Sequence, residues 1–138
     1  MTIPRDDKWL LSRLDYLWER YFSDIPQTNK VFIKFGRYSK YRLGSIRLDR
    51  KTKASYVTIT SMFRNISIPA EVVDHTIGHE LTHYAQGFSS PHPRLHRHPH
   101  EGGVVKRELM ARGFHKELKV YQNWVKKYRK KLYAEHGY

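Results

Sequence analysis

"HTIGHELTHYAQ", residues 75–86, contains His79, Glu80 and His83 in an H-E-x-x-H spacing. On a helix, residues i and i+4 lie about 40° apart, so one ion can meet both histidines. Glu80 lies about 100° round from His79, beside such an ion, where a carboxylate can take up a proton and return it. The opposite side of the same segment carries Val73, Ile77, Leu81 and Tyr84, an apolar stripe that must be buried. The spacing therefore predicts one helix with a packing face and a chemical face. Pro69 suits its first turn, and Glu71 and Asp74 lie where a helix N-terminus favours negative charge. Gly87 is the natural stop.

A catalytic zinc site takes a third protein ligand and leaves one position open. The stretch 89–103, "SSPHPRLHRHPHEGG", offers His92, His96, His98, His100 and Glu101, and Glu108 follows. A loop closing back over the ion would deliver a histidine. A following helix would deliver Glu101 or Glu108, and the residues alone leave both routes open. His75, one turn before His79, is either a supporting group behind the ligands or helix surface. The chain has no cysteine, which excludes disulfides and thiolate metal sites.

Working outward, residues 7–22 place Leu10, Leu14, Leu17, Trp18, Tyr21 and Phe22 on one helical face. "VFIKF" at 31–35, "YRLGSIRLD" at 41–49 and "SYVTITSMF" at 55–63 read as three short strands joined in a meander. Gly44 inside the second predicts a bulge or a close backbone approach. "VVKRELMARGF" from Val104 reads as a helix stopped near Gly113. A basic amphipathic helix follows at about 115–133, with Phe114, Leu118, Tyr121, Val125, Tyr128 and Leu132 as its apolar stripe. The expectation is one α+β domain over residues 1–138: an N-terminal helix, a short three-stranded sheet, the H-E-x-x-H helix and further C-terminal helices. Neither a signal peptide nor a membrane span is legible, so a soluble intracellular protein, cytoplasmic or nucleoid-associated, is expected.

The 26 Lys+Arg exceed the 13 Asp+Glu and give a formal charge of +13, which attracts polyanions. Arg37, Lys40, Arg42, Arg47 and Arg50 form one cationic cluster, and Lys126, Lys127, Lys130 and Lys131 another on the last helix. Tyr38, Tyr41 and Trp124 lie near these charges and can stack on unpaired bases, whereas Tyr121 and Tyr128 are expected to pack.

Together these segments resemble the SprT-like (Spartan-type) metalloprotease family over roughly residues 5–113. "YRLGSI" resembles its Gly-Ser strand, "VTITSMF" its next strand and "EVVDHTIGHELTHY" its active-site helix. "HPHEGGVVKRELMARG" resembles its histidine loop and the helix after it. The resemblance implies a compact zincin-like fold holding Zn2+, with His79, His83 and His100 as ligands and Glu80 as general base. It also implies an endopeptidase acting on proteins bound or crosslinked to DNA, single-stranded or locally unpaired. The sequence departs from the pattern at Glu101, where the family has glycine, and at Val104 or Val105, where it has an aromatic residue. The basic helix stands where many members carry a zinc ribbon. Two other functions compete: a non-enzymatic zinc-stabilised DNA-binding module, and a DNA-independent zincin protease with a glutamate as third ligand.

Overall fold

The computed structural model describes residues 3–135. Helix α1 (Asp7–Tyr21) begins at Asp6, whose side chain accepts from the Trp9 backbone N–H at 2.8 Å. Leu10, Leu14 and Leu17 are buried on one face, as their spacing requires, and Phe22 is buried just beyond the last turn. Three strands follow: β1 (Val31–Phe35), β2 (Gly44–Leu48) and β3 (Ser55–Ile59).

The strands do not form a meander. Their order is β1-β3-β2, with β1 parallel and β2 antiparallel to β3. β3 buries Ser55, Val57 and Ile59 and takes the centre, whereas β2 has no buried residue. A tight turn joins β2 to β3, where Asp49 Oδ1 accepts from the Lys51 and Thr52 N–H groups at 2.8 and 3.0 Å. The link 36–43 carries the chain from β1 past the end of β3, leaving β1 on the far side and β2 as an edge. The register through Gly44 is unbroken, so the bulge alternative for that residue is also corrected.

A 3-10 turn (Ser61–Arg64) leads to α2 (Ala70–Ala85). Arg5 fastens this turn by donating to the carbonyls of Phe63, Asn65 and Ile68 at 3.0, 3.0 and 2.7 Å. Pro69 is the residue before the helix rather than part of its first turn. Val72, Val73, Ile77, Leu81 and Tyr84 are buried, and Asp74 holds Arg13 of α1 through two bonds of 2.9 and 2.7 Å. Gly87, in the left-handed region at φ 85°, turns the chain out of the helix.

After the 3-10 turn Glu101–Gly103 come α3 (Val104–Ala111) and α4 (His115–Glu135). Helices α1, α3 and α4 and the sheet surround α2, so its apolar faces are covered and its histidine face looks into a cleft. Among the described residues the architecture is α+β, with four α-helices and one three-stranded sheet. No helix among them is long and apolar enough to cross a membrane.

Candidate metal centre

The interior packing of α2 fixes the direction of His79 and His83. Both rings face one point, and His100 reaches that point from the loop. His100 Nε2 lies 3.2 Å from His79 Nε2 and 3.0 Å from His83 Nε2. All three ligand atoms fall within 4.8 Å of one another. Nitrogens bound tetrahedrally to zinc at about 2.0–2.1 Å stand about 3.3 Å apart, so the donor set and its spacing fit that ion.

His100 reaches the centre because the chain reverses directly after it. Gly102 and Gly103 have φ of 55° and 71°, a region costly for residues with a Cβ. These two residues let the loop end over α2 and α3 begin at once. The other candidate ligands are engaged elsewhere. Glu101 accepts from the His98 N–H at 2.9 Å, and backbone donors of this kind hold its carboxyl below the usual range. Glu108 bonds to Gln86 and Arg112 at 3.2 and 3.1 Å. The His92 ring donates to the Pro26 carbonyl at 2.7 Å. His96 and His98 are not in the cluster.

Burial sets the protonation of the site. Desolvation, with smaller contributions from His83, His75 and His100, lowers the His79 pKa to about 3. Desolvation and His100 lower that of His83 to about 4. Both rings are therefore neutral near pH 7 and have a lone pair for a metal. Glu80, only 5% exposed, is shifted the other way: burial raises it to about 8, against an opposing pull from Arg42. A carboxyl titrating near neutrality is suited to both accepting and donating a proton.

Gly44 accounts for that burial. A Cβ there would lie 2.8 Å from Thr76 Cγ2 and 3.2 Å from Glu80 Oε2. The missing side chain lets β2 run against α2 at the carboxylate. The resulting cleft, about 530 Å³, has Gly44, Ser45 and Ile46 on one wall and His79, Glu80 and His83 opposite.

Of the two places open to His75, behind the ligands or on the helix surface, the second is not the one it takes. It is instead 7% exposed and stacks on Tyr121 with ring centroids 3.9 Å apart. Its pKa falls to about 4 by desolvation, and its Nδ1 has no hydrogen-bond partner among the described residues. Tyr121 was expected only to pack. It is half-buried against the core and also lines the cleft, as does Arg94, which nothing in the sequence singled out.

The cationic residues divide into those in contact and those in solvent. Arg37 is exposed, and Arg42, also exposed, lines the cleft, where its charge acts on Glu80. Lys40 pairs with Glu135 at 3.3 Å, and Arg47 pairs with Asp49 at 3.5 Å while lying over the Tyr56 ring. Lys126, Lys127, Lys130 and Lys131 are exposed along α4. Tyr38 and Tyr41 are exposed. Trp124 stacks on Tyr128 at 4.6 Å and meets Phe63 edge-on, so its expected availability to bases is corrected to a packing role. Comparison of the chain with family models, curated proteins and solved structures finds no match.

Proposed function

We propose that this protein is a zinc-dependent endopeptidase of zincin-like, SprT-like type. One observation carries the reading: three imidazoles converge, His100 lying 3.2 and 3.0 Å from His79 and His83, with a buried carboxyl beside them in an open cleft. When bound, zinc supplies Lewis-acid chemistry, polarising a carbonyl and acidifying water. His79, His83 and His100 would hold the ion at the floor of the cleft that a substrate would enter. Glu80 takes the proton of the attacking water and delivers it to the departing amine. β2 is an edge strand along the same cleft, so an extended peptide can lie beside it near Gly44. At Ile46 the carbonyl already accepts from Ser89 Oγ at 3.2 Å, which limits that pairing.

The charge of +13 supports a setting on DNA, with protein substrates held there, and a nucleoid location follows from that setting. The engagement of Glu101 and Glu108 elsewhere weighs against a glutamate ligand.

Glu80→Gln tests the reading. The zinc-loaded variant should keep one zinc per chain and lose cleavage of an unfolded protein by about 100- to 10,000-fold. Undiminished cleavage in the variant refutes the role of Glu80. A wild-type protein that binds zinc and DNA, never cleaves and melts on chelation is the non-enzymatic module instead.

A further inference from the structure

A second cavity adjoins the metal cleft. It measures about 360 Å³ and lies between α4 and the link 36–43. Tyr41, Leu43 and Tyr121 line both spaces, so the two are immediate neighbours. The far wall is one stripe of α4: Val125, Tyr128 and Leu132. The link is tied to that stripe. Tyr128 donates its hydroxyl to the Lys40 carbonyl at 2.7 Å, and Lys40 Nζ meets Glu135 at 3.3 Å.

We propose that this groove is the specificity pocket of the cleft and takes a large uncharged side chain, aromatic or long aliphatic, from a peptide residue next to the cut bond. The proposal rests on the endopeptidase reading. Its volume suits one bulky side chain, and tyrosine rings beside aliphatic walls favour apolar and aromatic contacts. Tyrosines also attract cations. Here Arg129 and Lys40, the latter paired with Glu135, are part of the lining and no carboxylate of the described residues is, so a substrate lysine or arginine finds no counter-charge within the groove. An acidic side chain would meet those cations but would lose its water against Leu43, Val125 and Leu132. Neither charge finds a complete environment, whereas a neutral bulky group does.

The test uses the zinc-loaded full chain on a mixture of unfolded proteins, with cut sites mapped by mass spectrometry. One fixed position beside the cut should be enriched at least ten-fold in Phe, Tyr, Trp, Leu or Met over Gly, Ala, Asp and Lys, a ratio within reach of an apolar pocket. Val125→Trp, which fills the groove from α4, should move the ratio of bulky to small residues at that position at least ten-fold towards small. Cutting without preference, or with a preference for charged residues, overturns the pocket and leaves the endopeptidase reading standing. A bulky preference unchanged in folded Val125→Trp overturns its assignment to this groove. No cutting at all overturns both. Should Val125→Trp fail to fold, the wild-type map decides alone.

Discussion

The candidate metal centre is built from two unlike regions. His79 and His83 stand on α2, a helix whose other faces are buried and whose direction is fixed by Val73, Ile77, Leu81 and Tyr84. His100 stands on an exposed loop, positioned by a two-glycine turn and local hydrogen bonds. The helix ligands are a by-product of folding, because burying the apolar stripe aims them. The loop ligand depends on a backbone conformation that contributes little to the core. Damage to one region should therefore remove fold and metal together, and damage to the other should remove metal alone.

The largest expected effect is on the helix side. Leu81→Ala removes a side chain 1% exposed and should cost about 2–5 kcal/mol of stability, with zinc lost as the fold loosens. Denaturant unfolding of the metal-free protein measures this. His100→Ala should act oppositely. Zinc affinity should fall more than about 100-fold, because losing a ligand exceeds the effect of losing its supporting bond. The melting temperature of the metal-free protein should stay within about 2 °C of wild type, well under a 1 kcal/mol change. A collapse of the metal-free fold in His100→Ala would erase the contrast.

Next in size is the pH dependence of the metal-free protein. His75, His79 and His83 have folded pKa values of about 4, 3 and 4 against an ordinary 6.5. The unfolded chain binds more protons below 6.5, so their contribution is complete above that pH and is lost as pH falls. Glu80 has a folded pKa of about 8 against an ordinary 4.5. Its contribution is complete below 4.5 and is lost as pH rises towards 8. With three histidines opposing one carboxyl, stability should peak near pH 6.5 and decline on both sides. Glu80→Gln should flatten the alkaline side and steepen the fall between pH 6.5 and 4.5, where Glu80 opposes the histidines. Melting curves in chelator across pH show whether it does.

Gly44→Ala is narrower. The new methyl group would press on Thr76 and Glu80 at 2.8 and 3.2 Å, so β2 or the carboxylate must shift. Turnover should fall about ten- to hundred-fold while zinc affinity stays, since misplacement of about 1 Å is enough for such a loss. Equal loss of zinc would mean that Gly44 supports the ligands rather than the carboxylate. The smallest effect belongs to the loop turn. Gly102→Ala places a Cβ in the left-handed region at about 1–2 kcal/mol and should weaken zinc about ten-fold with the core unchanged.

The same division explains what could be read from the sequence. Local periodicity marks α1, α2 and the stripe of α4, because helical packing repeats within a few residues of the chain. The place of β3 between β1 and β2 was not legible, since it depends on pairings across the link 36–43 that no local pattern records. His79 and His83 follow from a spacing of four on one helix. The residues alone leave His100 among its neighbours and only the family resemblance points to it; the turn at Gly102–Gly103, whose effect on direction appears in three dimensions, is what brings it to the other two. Gly44 did carry a signal, a glycine inside a strand, but its neighbour Glu80 lies in another element. Trp124 looked available because it stands among lysines, yet its ring packs on Tyr128 and Phe63.

The central claim is that a helix supplies two ligands, a loop supplies the third, and Glu80 stays off the metal. A crystal structure of the zinc-loaded wild-type protein, with the ion located by anomalous scattering, tests it most directly. The expected result is Nε2 of His79, His83 and His100 at about 2.0–2.1 Å from zinc, a fourth position open to solvent, and Glu80 unligated. Zinc held by Glu101, Glu108 or another histidine in place of His100, or ligated by Glu80 itself, would contradict it.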